Sequence, residues 1–394
     1  MKGRFAVALS ALIVVACAEP PSGPTSPLTA SPRLAPLYVR SDADVIPGQY
    51  IVVFNDDVAD PHGKAKEKAL KKNGKLKYSY GAALKGFAAE LSDAAVAELR
   101  ADPDVAYIEQ DQTVSINTTQ TGATWGIDRI DQRSRPLSGT YTYTSTGSGV
   151  RAYIIDTGIQ TSHPQFGGRA SAVYDAIGDG RNGQDCNGHG THVAGTVGSS
   201  TYGVAKGVYL RAVRVLNCSG SGSNSGVIAG MDWVRSNHIK PAVANMSLGG
   251  GFSSAVNTAA NNLSNAGVFL AVAAGNSNAN ACNYSPSSAS AVTSVMSSTS
   301  SDAKSSFSNF GSCTHLYAPG SSITSTWLNS GTNTISGTSM ATPHVVGVAA
   351  LYKKVNGDAS SSTIRSWLIN NATASVITGN PSGTPNRLLY KSTF

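Results

Sequence analysis

From Asn117 to Phe394 the sequence contains no glutamate, while 17 Lys and Arg stand against 9 Asp, a net charge of +8. That absence removes one class of chemistry at once. His189 and His192, three residues apart, could share a helix face and hold a metal, but the zinc-peptidase pattern His-Glu-x-x-His needs a glutamate as general base, and none is present. His192 and, further on, His344 are therefore read as structural. Cysteine is scarce, five in 394 residues, and the spacing fits no zinc-ligand pattern. The basic residues of the long C-terminal part are scattered and mostly arginine. With no basic stripe and no aromatic stacking motif, they are a solvated surface rather than a nucleic-acid reader. The apolar stretch Phe5 to Val15, behind Lys2 and Arg4, is too short to span a membrane as a helix and suits a secretory signal instead.

Residues 1–18 are thus expected to be a signal peptide and the protein to be secreted. Two processing readings stand open there. Ala16-Cys17-Ala18 fits a small-residue signal-peptidase site, and Val14-Val15-Ala16-Cys17 resembles a bacterial lipobox, which would leave the precursor lipid-anchored through Cys17. Residues 19–47 begin with a tract rich in Pro, Ser, Thr and Ala that cannot bury a core, and are expected to form a flexible spacer. Beyond Cys17 four cysteines remain, Cys186, Cys218, Cys282 and Cys313. An even number in an exported chain suggests two disulfides, with three pairings open.

Residues 48–116 read as a small α+β domain. Gly48 to Phe54 is a β-rich run closed by the turn signal Asn55-Asp56-Asp57, and a Lys-rich helical segment follows. Phe87 to Leu91 returns to strand, Ser92 caps a helix over Asp93 to Arg100, and Val105 to Glu109 is strand again, giving β-α-β-α-β. Residues 117–394 alternate apolar strands with helices. Val150 to Ile155, Tyr209 to Leu216, Ala242 to Met246 and Val268 to Ala273 are the strands, and Gly226 to Ser236 and Ser254 to Ala266 are helices between them. Such alternation implies a parallel sheet covered on both faces, with sites beyond the C-terminal strand ends, where Asp156 and Asn276 fall.

Three glycine-flanked strings carry the chemistry: Asp156-Thr157-Gly158, Gly188-His189-Gly190-Thr191-His192, and Gly337-Thr338-Ser339-Met340-Ala341. A carboxylate, an imidazole and a hydroxyl are the parts of a nucleophilic hydrolase. The helix opened by Ser339, roughly Met340 to Val355, is apolar or small nearly all round, as a helix buried through a core is. Its N-terminus offers free backbone N–H groups to an oxyanion.

The strings and their order Asp, His, Ser resemble those of the subtilisin superfamily, in contrast to the orders of chymotrypsin-like enzymes and α/β-hydrolases. Within it the likeness is to the proteinase K group and its aqualysin-type members, carried also by Trp125 to Arg133, Asp185 to His189 and Ser382 to Tyr390, and it runs from about Thr118 to the end. The resemblance implies a subtilisin-like three-layer α/β/α fold behind a ferredoxin-like inhibitor propeptide. That propeptide would act as intramolecular inhibitor and chaperone, and the enzyme itself would cut it near Ile116 to Thr119. It implies a serine endopeptidase, working as a monomer on protein and peptide substrates through an acyl-enzyme. Asp156, His189 and Ser339 would be the triad, with Asn276 and the Ser339 N–H as the oxyanion hole.

The substrate would add as a strand, along Ser219, Gly220, Ser221 and Gly222 on one side and Ser247, Leu248, Gly249 and Gly250 on the other. Ala273, Ala274 and Gly275 would leave an open, uncharged pocket for an apolar or aromatic P1 residue, with broad specificity. The disulfides implied are Cys186 with Cys218 and Cys282 with Cys313. No cofactor is expected for catalysis. Asp128, Asp131 and Gln132 match an aqualysin-type structural calcium site, with Asp179 and Asp185 as a weaker second, whereas Thr299 replaces the aspartate of another proteinase K site.

Overall fold

The computed structural model describes residues 34–39, 45–112 and 118–394. The expected signal peptide, Cys17, most of the spacer and much of the processing junction lie outside the described residues. The chain forms two compact units, Met1–Val114 and Ser115–Phe394.

In the first unit a five-stranded sheet carries two helices. Its strands are β1 (Leu37–Tyr38), β2 (Val45–Phe54), β3 (Lys75–Tyr80), β4 (Gly86–Glu90) and β5 (Val105–Gln112), in the order β1-β5-β2-β4-β3, with helices α1 (Pro61–Lys71) and α2 (Asp93–Arg100). Ser92 caps α2 by accepting from the Ala95 N–H at 3.2 Å, and Asp60 caps α1 through Gly63 N at 2.9 Å. Val52, Phe87, Ile108 and Leu99 are fully buried between sheet and helices. Strand β3 was not anticipated from sequence. It reads Lys-Leu-Lys-Tyr-Ser-Tyr, and as an edge strand it points its lysines at solvent, which disguises the β pattern and blocks edge-to-edge pairing.

The second unit is built on one nine-stranded sheet. An N-terminal hairpin pairs β6 (Thr118–Thr121) with β7 (Thr140–Tyr143) around helix α3 (Trp125–Asp131). The sheet strands are β8 (Arg151–Asp156), β9 (Ala170–Asp175), β10 (Tyr209–Arg214), β11 (Ala242–Met246), β13 (Phe269–Ala273), β15 (Thr293–Ser298), β16 (Leu316–Pro319), β19 (Thr373–Ala374) and β20 (Arg387–Leu388). Their order is β19-β20-β16-β15-β13-β11-β8-β10-β9, and every neighbouring pair is parallel except β19 with β20. Short antiparallel pairs join β12 (Gly250–Gly251) to β14 (Tyr284–Ser285) and β17 (Ile323–Thr326) to β18 (Thr332–Ile335).

Strand alternation sends Ala152 and Ile154 of β8 to one face and Tyr153 and Ile155 to the other. Helices α4 (His189–Gly198), α7 (Thr338–Asn356) and α8 (Ser361–Asn371) pack on the first face, and α5 (Asn224–Asn237) and α6 (Ser254–Asn265) on the second. The α/β architecture with a preceding α+β unit, expected from the sequence, is the one found. Strand β15 was missed because it reads Thr-Ser-Val-Met-Ser-Ser yet is wholly buried, and β16 because it is only four residues long and ends in proline. Two of the β15 hydroxyls are paired inside the core, Ser294 with Ser287 at 2.7 Å and Ser297 with Ser305 at 2.8 Å, which helps a polar sequence occupy a central strand, while those of Thr293 and Ser298 are buried without a partner among the described residues. Cys186 is bonded to Cys218 and Cys282 to Cys313.

Candidate active site

Asp156 ends β8 at the C-terminal edge of the sheet and is fully buried. Its Oδ1 accepts from Thr157 N at 2.7 Å and from His189 Nδ1 at 2.8 Å, while Oδ2 is buried without a partner. With Nδ1 carrying the proton, Nε2 of His189 is left as the basic nitrogen. Burial of the imidazole opposes its protonation, but the Asp156 charge and hydrogen bond, helped by Asp185, outweigh this and raise its pKa above the ordinary value.

His189 opens α4, whose N-cap Gly188 has φ +106°, and a Cβ there would lie 2.4 Å from the Trp327 ring. The cap itself comes from Asp185. Its Oδ1 accepts from Asn187 N, Gly188 N and Thr157 Oγ1 at 2.9 to 3.0 Å, and its Oδ2 from Thr191 N at 2.9 Å and Thr191 Oγ1 at 2.6 Å. The Thr157 hydroxyl also accepts from Gly190 N at 2.9 Å. A carboxylate at a helix N-terminus thus fixes the first turn of α4 to the strand end that bears Asp156. This corrects the weaker cation reading of Asp179 and Asp185: Asp185 is filled by hydrogen-bond donors, and Asp179 is paired with the buried Arg214 at 2.5 and 2.8 Å. His192 is buried with Nε2 donating to Ile323 O at 3.0 Å, and His344 with Nδ1 donating to Met340 O at 2.9 Å. Both are pushed down to about 4, first by burial. Among the described residues no group of three or more His, Cys, Asp or Glu could hold a metal.

Ser339 lies in the first turn of α7, behind the N-cap Gly337. Its hydroxyl donates to Ser247 O at 3.1 Å rather than to His189, and Ser247 Oγ donates back to Ser339 O at 2.7 Å. Base–nucleophile contacts are often loose in a substrate-free site and tighten with substrate. Asn276, just past β13, has its Oδ1 held by Thr338 N at 2.9 Å and Thr338 Oγ1 at 2.8 Å, which fixes the side-chain carbonyl and so aims Nδ2 the other way. The Cβ that Gly337 lacks would stand 3.5 Å from Ser339 N and 3.6 Å from Asn276 Nδ2, so the two N–H donors face one small space.

Two adjoining cavities of about 540 and 230 Å³ form the cleft. His189, Ser219 to Gly222 and Ser247 line the larger, Ala273 to Asn276 and Ser339 the smaller, and Leu248 to Gly250 both. No Asp, Glu, Lys or Arg lines either. Leu216 and Val227 on the larger side and Tyr284 on the smaller also line the cleft, and sequence reasoning missed them. They are ordinary apolar and aromatic residues outside any motif. Thr338 has no signal of its own in the sequence beyond adjoining Ser339, and Asp185 serves as a helix cap where the sequence suggests a cation ligand.

The predicted calcium ligands do not fit an ion as they are arranged. Asp131 Oδ1 lies 3.0 Å from the buried Lys391 ammonium and its Oδ2 accepts from Thr142 N at 2.7 Å. Asp128 Oδ1 accepts from Ser138 N and Oγ, and Oδ2 from Gly139 N at 2.6 Å, while Gln132 Oε1 also accepts from Ser138 N at 3.1 Å. Hydrogen-bond donors and an ammonium group meet these oxygens, whereas calcium takes six to eight oxygen ligands.

Comparison with known proteins follows the same division of the chain. The Subtilase family model matches residues 147–388, and the model of Peptidase inhibitor I9 matches residues 49–117. The chain is 50% identical to an extracellular serine proteinase of a Thermus species over 99% of both chains. It is 46% identical to Proteinase R of Parengyodontium album, over 91% of this chain and 92% of that one. The crystal structure of a cold adapted subtilisin-like serine proteinase superposes with a TM-score of 0.68 at 53% identity, covering 69% of this chain and 99% of the other.

Proposed function

The chain belongs to the subtilase family of serine endopeptidases, and from that premise we propose that Asp156, His189 and Ser339 are its catalytic triad and Asn276 its oxyanion-hole side chain. The observation that carries the assignment is the 2.8 Å bond from His189 Nδ1 to the buried Asp156, which leaves Nε2 as the base. Ser339 Oγ bonds to the scissile carbonyl carbon as its proton passes to His189 Nε2. The C–N bond then breaks as His189 returns that proton to the leaving nitrogen. Water repeats the sequence on the acyl ester, giving its proton to His189 and restoring the Ser339 hydroxyl. Asp156 holds the tautomer and stabilises the imidazolium. The Ser339 N–H and Asn276 Nδ2 receive the oxyanion. Loss of such a side-chain donor costs about 100- to 1000-fold in kcat, a magnitude that comes from subtilisin, a member of the same family.

The uncharged cleft supports broad specificity for apolar or aromatic residues before the scissile bond. Backbone of residues 219–222 and 247–250 would pair with the substrate as an added strand. Residues 48–116 are proposed as the inhibitor propeptide and folding chaperone, removed by the enzyme itself, and 117–394 as the catalytic part. The extracellular naming of the Thermus relative supports export. We propose that the enzyme acts as a monomer without nucleic acid. Catalysis needs no cofactor, and the hydrogen bonds to Asp128 and the Lys391–Asp131 pair support a reading in which the end of α3 is held without calcium.

Intact mass and casein digestion of wild type beside Ser339→Ala, expressed from Glu19, test this reading. Wild type should shorten to a species beginning near Asn117 and digest casein, while the variant stays full length and inactive. A variant that still matures or digests casein would reject Ser339 as nucleophile.

A further inference from the structure

Asn309 lies outside every motif of the sequence and touches neither cleft cavity, yet its side chain is fully buried with all its bonds spent on one loop. Nδ2 donates to Ala274 O at 2.9 Å, and Oδ1 accepts from Ser277 N and from Ala279 N, each at 3.0 Å. Its backbone N–H donates to Gly275 O at 2.9 Å. These four bonds bracket Asn276 on both sides. Gly275 is shaped to admit the clamp, since its φ is +103° and a Cβ there would stand 2.3 Å from Asn309 Nδ2.

The clamp is anchored in turn. Ser308 Oγ accepts from Ser297 N at 3.0 Å, tying the segment to β15. Phe310 N donates to Ala279 O at 3.0 Å, and Asn278 N to Phe307 O at 2.8 Å, so residues 307–310 run alongside the loop. The Asn276 amide therefore has two independent fixings. Thr338, on the helix of Ser339, orients its side chain, and Asn309, on the segment after β15, sets the backbone from which that side chain hangs.

We propose that Asn309 is a positioning residue for oxyanion stabilisation, holding Asn276 Nδ2 in line with the Ser339 N–H while touching no reacting atom. The proposal rests on the oxyanion role given to Asn276. Donors of this kind act only where they are aimed at the position the oxyanion takes, and small displacements are costly. A residue that merely stabilised the fold would change melting and leave the tetrahedral state untouched. One that positions Asn276 weakens the tetrahedral state selectively.

The test is a double-mutant cycle on the self-matured enzyme with a peptide p-nitroanilide, and with the matching peptide aldehyde, whose hemiacetal mimics the tetrahedral intermediate. Asn309→Ala should lower kcat by about 10- to 100-fold with KM within about twofold, and raise the aldehyde Ki in parallel. In an Asn276→Ala background the same substitution should change kcat by no more than about twofold, because its target is gone. If the two losses multiply, or if only the melting temperature moves, Asn309 is not a positioning residue. Asn309→Asp keeps the acceptor for Ser277 and Ala279 but not the donor to Ala274, and serves the same cycle if the alanine variant does not mature. Asn276→Ala alone separates the premise: wild-type kcat there would reject the oxyanion assignment itself.

Discussion

The Lys391 ammonium and the Asp131 carboxylate meet 3.0 Å apart, the lysine almost completely buried, joining the end of helix α3 to the C-terminal strand region. Lys391 also donates to Phe394 O at 2.9 Å and lies over the Tyr141 ring at 5.4 Å. Burial disfavours its charge, and Asp131 opposes that. Asp131→Asn should therefore destabilise the protein by about 1.5 to 3 kcal/mol, the worth of a hydrogen bond to a charged group. Melting of the Ser339→Ala protein, which on the proposed assignment does not digest itself, should show the same loss with calcium chloride and with EDTA. A calcium-dependent stabilisation that disappears with Asp131 would restore the ion site.

Arg129 of α3 is buried and grips Asp302 with two nitrogens, at 2.7 and 3.1 Å, while a third donates to Gln132 O at 2.6 Å. Removing one partner leaves the other charge buried and unpaired. Asp302→Ala should cost about 3 to 5 kcal/mol in urea unfolding, and the Arg129→Met, Asp302→Leu double variant less than that single change. Equal or greater loss in the double variant would mean that packing, not the stranded charge, sets the cost.

His192 and His344 are both held near 4, below the ordinary histidine value of 6.5. A base whose pKa is depressed by folding takes up a proton on unfolding. Stability is therefore full above about pH 6.5 and falls as pH drops toward 4, by at most roughly 3 kcal/mol per histidine. Unfolding free energies of the Ser339→Ala protein between pH 7 and 4 should show this slope, and His344→Asn should flatten it. An unchanged slope in that variant would contradict the assignment.

In the proposed role of base His189 must be neutral, and its pKa is raised by Asp156 against the effect of burial. The kcat/KM of a peptide p-nitroanilide should rise with pH through a midpoint above 6.5. Asp156→Asn removes the charge that raises it, so the midpoint should move down while kcat falls, by about 10⁴ if the triad behaves as in serine proteases generally. A midpoint that does not move would mean another group governs the limb.

The parallel sheet was legible in apolar runs such as Val150 to Ile155, because strands covered on both faces read as continuous hydrophobic segments. Asp156, His189, Asn276 and Ser339 stood out because each sits in a glycine-flanked turn at a strand or helix end. Strand β15 did not, because its polar groups find their partners on a segment outside the strand: Ser305 Oγ meets the Ser297 hydroxyl, and Ser308 Oγ accepts from Ser297 N. Asn309 was invisible for the same reason: its partners lie 30 to 35 residues away. Asp131 looked like a metal ligand in sequence, where nothing shows that Lys391, 260 positions later, folds back onto it.

Covalent labelling tests the central assignment most directly. Phenylmethylsulfonyl fluoride reacts with a serine whose hydroxyl is activated by a neighbouring base, and peptide mapping locates the adduct. The matured enzyme should lose activity with one sulfonyl group per molecule, carried on the peptide that contains Ser339, and Asp156→Asn should label far more slowly. Inactivation with the adduct on any other residue, or full activity with Ser339 modified, would contradict the account.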